Sequence, residues 1–151
     1  MPNFEIGVVD RLKNNQRAIE RLETQIKVGR WADWTPTVTQ SVSVSVSIGY
    51  ARYCIIDALV VGQVRLTTTS AGTTNNMIGI GGIPSIITPV ASPAGVIGSF
   101  VLVDLGTANY VGALLATPTP DIIMFIHGST VPVGQSPNFA LANGDVIEFK
   151  I

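Results

Sequence analysis

Thr37-Val38-Thr39-Gln40-Ser41-Val42-Ser43-Val44-Ser45-Val46-Ser47-Ile48 alternates branched apolar residues with small hydroxyl residues. Val38, Val42, Val44, Val46 and Ile48 point one way, while Thr37, Thr39, Ser41, Ser43, Ser45 and Ser47 point the other. A period of two is the mark of a strand with one buried face. The run over 52–66, rich in Tyr53, Ile55, Ile56, Val60, Val61 and Val64, predicts a second strand with Gly62 as a bulge or bend. Polar residues 67–76 then form a turn or loop. Further strands are predicted over 77–80, 97–104, 110–116, 122–127 and 146–151, separated by Gly, Pro and Asn at short spacing. Asn143-Gly144-Asp145 is the clearest turn, because Gly144 accepts a positive φ. This segment carries no helical pattern, so it predicts an all-β antiparallel sandwich of jelly-roll type.

The pattern changes upstream of Trp31. Leu12, Ile19 and Ile26 at heptad position a place Val8, Asn15 and Leu22 at d, one narrow seam through about three heptads. Asp10, Lys13, Arg17, Glu20, Arg21 and Lys27 face outward, Glu23 precedes Lys27 by four residues, and Gly29 ends the helix. Such a helix is marginal alone. It is read as a short coiled coil rather than a helix packed on its own β-domain, because a strict a/d stripe is narrower than a core-facing one. Ile at a with Leu at d favours two strands in simple peptides, whereas a polar Asn15 can fix register and stoichiometry. The seam leaves the number of chains to the head. Residues 1–30 are thus an anchor and stalk, and 31–151 a β-sandwich head.

Composition supports that division. Of the nineteen Lys, Arg, Asp and Glu, residues 1–30 hold ten and the 121 that follow hold nine. So few charges leave the β-segment poorly solvated as a monomer, and burial against copies of itself is the usual remedy. A net charge of -1 supplies no basic field for nucleic acid or an anionic membrane. Residues 66–103 carry no charge, yet their Pro and Gly content excludes a membrane-spanning helix. The N-terminus does not read as a signal peptide, and the single cysteine, Cys54, forms no internal disulfide; assembly in a reducing cytoplasm is expected.

Trp31-Ala32-Asp33-Trp34-Thr35-Pro36-Thr37 directly after the coiled coil resembles the aromatic W-x-x-[WY]-T-P-T junction of bacteriophage tail-fibre, minor tail and head-fibre proteins. Ala51-Arg52-Tyr53-Cys54 resembles their G-R-Y strand, Ile83-Pro84 their Leu-Pro, and residues 142–147 their closing NGD-x-I strand. Ile55-Ile56-Asp57 stands where that family has Ile-Gly, and residues 86–119 match none of its motifs. The resemblance implies a homotrimeric β-sandwich knob on a trimeric stalk, part of a virion assembled in the bacterial cytoplasm. Val8, Leu12, Asn15, Ile19, Leu22 and Ile26 are then the oligomer interface. Trp31 and Trp34 fill the stalk-head junction, where three chains splay apart, in preference to stacking on sugars. Phe4 and Ile6 anchor the subunit to other tail or capsid proteins.

Catalysis is not expected. The β-segment offers one histidine, His127, one cysteine and six carboxylates, Asp33, Asp57, Asp104, Asp121, Asp145 and Glu148, with no two at an acid/base or metal-ligand spacing. His127-Gly128-Ser129 lacks a nucleophile elbow, and Gly79-Ile80-Gly81-Gly82 runs into Pro84 instead of a phosphate-binding helix. His127 is read as a strand-end or interface residue and Cys54 as a small apolar one. No cofactor or metal is expected. Three roles are distinguished: a structural virion trimer, including a purely stabilising capsid decoration; a lectin-like head touching a host glycan or protein through 71–76 and 106–109; and an envelope-degrading enzyme, which lacks the clustered carboxylates.

Overall fold

The computed structural model of the chain describes residues 10–19, 29–57, 59–84, 95–117, 122–126 and 128–151. Residues 10–19 are helical. The strands are β1 (Ala32–Asp33), β2 (Thr37–Gln40), β3 (Val42–Val44), β4 (Val46–Ile56), β5 (Leu59–Thr68), β6 (Gly79–Gly81), β7 (Val96–Asp104), β8 (Ala108–Ala116), β9 (Ile122–Ile126) and β10 (Val146–Lys150). All pair antiparallel in one sheet of order β1-β4-β5-β10-β7-β8-β9-β6-β2-β3.

The sheet curls because its two ends are one piece of chain. β3, at one end, runs through Ser45 into β4, next to the other end. Ser45 leaves the ladder and bonds elsewhere: its carbonyl accepts from Thr69 N at 2.8 Å, and its N–H donates to Ser70 Oγ at 2.8 Å. The C-terminal strand β10 fills the gap between the β4–β5 and β7–β8 hairpins, pairing with both β5 and β7.

Alternation along these strands builds the core in cross-strand rows. Ala51, Val64, Phe149 and Phe100 lie side by side, and Leu66, Ile147 and Leu102 form the next row. Across the curl, Val38, Ile80 and Ile122 make a third. All are buried, with Ile78, Leu114, Met124 and Leu141 filling the space between. Each such side chain contributes about 1.5–3 kcal/mol of transfer free energy.

The single strand expected over 37–48 is instead the β2–β3 hairpin and the first residues of β4. Ser41 takes a φ of 65°, which brings Val42 opposite Gln40. Serine suits strand and turn alike, so alternation does not register the reversal. Val42 and Ile48, expected on the buried face, are 47% and 40% exposed. Val42 lies on the edge strand, and a register shift between Ile48 and Tyr50 moves the inward positions to Ala51 and Tyr53.

The run over 52–66 is also a hairpin, reversing at Asp57, whose φ is 57°. Gly62 is not the bulge: it pairs in regular register with Tyr53 and exchanges backbone hydrogen bonds with Ile151. A Cβ there would meet the Ile151 side chain at 2.6 Å. The later strands lie where expected, within two residues, and Gly144 takes a φ of 97° in the turn before β10.

Candidate functional site

Gln40 organises the loops at one end of the curled sheet. Its side chain is fully buried. Nε2 donates to the Asn76 carbonyl at 3.1 Å and the Phe139 carbonyl at 2.7 Å, while Oε1 accepts from Leu141 N at 2.8 Å. One amide therefore ties the β5–β6 loop to the chain leading into β10. Gly134, at φ 95°, gives this clamp room, since a Cβ would come within 2.2 Å of the Asn76 carbonyl and 2.8 Å of Gln40 Nε2.

A second buried polar group closes the other side of the same loop. The Asp145 carboxylate accepts from Leu105 N at 2.9 Å and Ala142 N at 2.7 Å, and Thr68 Oγ1 donates to the Ala142 carbonyl. Burial, and then the charge of Asp145, raises the pKa of nearby Asp104 above the ordinary carboxylate value, against a hydrogen bond from Thr107 that lowers it.

The fixed loops rise beside a groove of about 350 Å³ on the outer face of the sheet. Thr39, Gly79 and Ile123 are cross-strand neighbours and form its floor. Ser41, Asn76, Met77 and Gln135 form its walls. Gly79 keeps the floor low, since a Cβ there would stand 2.9 Å from Thr39 Oγ1. Among the described residues no charged side chain lines the groove.

A different surface lies over β4, β5, β10, β7 and β8, where Tyr50, Arg65, Glu148, Val101 and Val111 form an outward row. Glu148 accepts from Tyr50 Oη at 2.9 Å and Arg65 at 3.1 Å. That hydrogen bond, with some burial, raises the Tyr50 pKa. Val101 and Val111 continue the row as exposed apolar residues, 42% and 60% accessible.

On the helix, Leu12 and Ile19 are 63% and 50% exposed, and Asn15 between them is also exposed. Val8, Leu22 and Ile26, the remaining seam positions, lie outside the described residues, as do Phe4, Ile6 and His127. The two tryptophans separate. Trp34 is buried in its own chain, with ring centroids 6.4 Å from Tyr53 and 6.5 Å from Phe149, and its Nε1 has no hydrogen-bond partner among the described residues. Trp31 is exposed, with the Arg52 guanidinium 4.9 Å from its ring centroid, a cation–π arrangement.

Of the loops expected to touch a host, 71–76 supplies Asn76 to the groove, whereas Asn109 pairs with Val103 on the sheet. Cys54 is buried as a free thiol. Among the described residues no three His, Cys, Asp or Glu side chains come together, and no helix is long and apolar enough to cross a membrane. The chain matches no protein-family model, no curated protein and no solved structure.

Proposed function

We propose that the protein is a non-enzymatic structural subunit of a bacteriophage particle, a short homotrimeric fibre or spike. Its N-terminal helices form the coiled-coil stalk and its curled β-sheet forms the head, a jelly-roll-like sandwich in the trimer. The observation that carries this reading is the helix seam. Leu12 and Ile19, at equivalent heptad positions, lie open to solvent in the isolated chain, and a stripe of that spacing is covered by neighbouring helices in a coiled coil. The charge-poor head with exposed Val101 and Val111 supports association of the heads as well. The order of the Trp31–Thr37 junction, the Arg52-Tyr53 strand and the Asn143-Gly144-Asp145 turn supports the virion assignment.

In this reading Phe4 and Ile6 dock on a tail or capsid protein, and the head faces the host surface. No cofactor, nucleic acid or membrane insertion is required. Light scattering at micromolar concentration is expected to give three times the 15.9 kDa chain mass, and a monomer overturns the proposal. Electron microscopy of particles carrying a tagged subunit is expected to place the label at one type of site on the tail or capsid. A trimer absent from particles removes the virion assignment. Positions at every capsid vertex or face, with particles that are less stable without the subunit, favour decoration over host contact.

A further inference from the structure

We propose that the groove over Thr39, Gly79 and Ile123 binds a neutral saccharide segment, one without carboxylate, sulfate or phosphate groups. As the ligand of the exposed head, this rests on the host-surface role proposed above, although the chemistry comes from the groove itself.

The groove presents unused hydrogen-bonding capacity of both kinds. Among the described residues, the hydroxyls of Thr39 and Ser41 and the Gln135 amide have no protein partner. Asn76 spends one amide hydrogen on the Thr74 carbonyl at 2.9 Å and keeps its side-chain oxygen. Hydroxyls both donate and accept, and amides do each from a separate atom, which is the complement of a ring of sugar hydroxyls. Met77 and Ile123 add apolar surface for the C–H face of such a ring. Among the described residues that line the groove, an anionic sugar would meet no cation to offset the water it loses.

The site is also built in advance. Gln40 fixes the Asn76 backbone from below, and Gly134 lies against that same carbonyl. Less ordering entropy is then lost when a ligand enters. The volume lies at the low end of the ~300–1,000 Å³ usual for small-ligand sites, room for a short segment of a polysaccharide.

The test is a glycan array probed with the full chain, carrying neutral hexose, deoxyhexose and N-acetylhexosamine oligosaccharides beside sialylated and uronate-containing ones. The strongest binder is then titrated by calorimetry against the parent and three variants. Neutral oligosaccharides are expected to bind and acidic ones to be ignored. Gln135→Ala and Thr39→Ala, both surface changes, should each weaken binding about fivefold, the effect of one lost hydrogen bond. Gly79→Val, which raises the floor, should weaken it about tenfold or more. An array with no neutral binder, a preference for acidic glycans, or equal affinity in all three variants each overturns the proposal. A thermal melt of each variant identifies any that fails to fold, and the two surface variants decide the matter if Gly79→Val does. Because binding is read on the soluble chain, it succeeds or fails separately from trimer formation and particle attachment.

Discussion

At the scale of single residues, Gln40 is the polar group on which the loop end depends. Its amide meets two carbonyls and one N–H, and that division of donors and acceptor has no carboxylate equivalent. Gln40→Glu keeps the shape but turns an oxygen toward the Asn76 and Phe139 carbonyls. We expect a loss of about 3 kcal/mol in urea unfolding at neutral pH, in the range for buried groups left unpaired. A loss below about 1 kcal/mol would show that the loops do not need the clamp. Asp104 makes the opposite case. Its pKa is raised by burial and by Asp145, so the folded state holds the proton more tightly than the unfolded state does. Ionised Asp104 therefore destabilises the fold, fully above its folded pKa and not at all below the unfolded value near ~3.9. Asp104→Asn, which can still accept from Thr107, should raise the melting temperature at pH 7. The gain should shrink as the pH falls and vanish below about pH 3.9. A gain that persists at lower pH would show that it does not come from the charge.

At the scale of elements, the helix and the hairpins differ in what holds them. The hairpins bury rows of side chains against one another, whereas residues 10–19 bury none of their seam against the chain's own body. In the coiled coil proposed above, Asn15 would face its symmetry mates at a d position, where a polar residue lowers stability and fixes register. Asn15→Ile is expected to raise the melting temperature of the full chain and to broaden its distribution of oligomers, read by calorimetry and analytical ultracentrifugation. A lower melting temperature with unchanged stoichiometry would mean that the heptad frame is misplaced. The β2–β3 hairpin shows how an element escapes pattern reading. Gln40 stands at an apolar parity of the Val38-to-Ile48 series, the one break in that side of the alternation, and it marks the reversal. A buried polar residue among valines was a legible signal. Its three partners, 36 to 101 residues away in sequence, were not.

At the scale of the whole molecule, residues 31–151 contain the core and few charges, while the stalk proposed for the N-terminal segment would contribute about three heptads, a length marginal for an isolated coiled coil. Deleting residues 1–30 is therefore expected to leave a folded trimer that no longer decorates particles, measured by light scattering and by particle labelling. A well-behaved monomer would assign oligomerisation to the stalk and leave Val101 and Val111 for a different partner. Local patterning along the chain was enough for the β class, most strand positions, the turn at Gly144 and the change of character near Trp31. These rest on periodicity, turn chemistry and charge, which are local properties of the chain. It took the folded chain to establish that β10 enters between β5 and β7, that Trp34 lies in its own chain's core while Trp31 stays outside, and that Thr39, Gly79 and Ile123 line one groove. Strand order and grooves arise from pairings between residues far apart in the chain, and many sheets satisfy the same alternation. The choice among them falls to the packing of the whole core and to contacts such as those of Gln40.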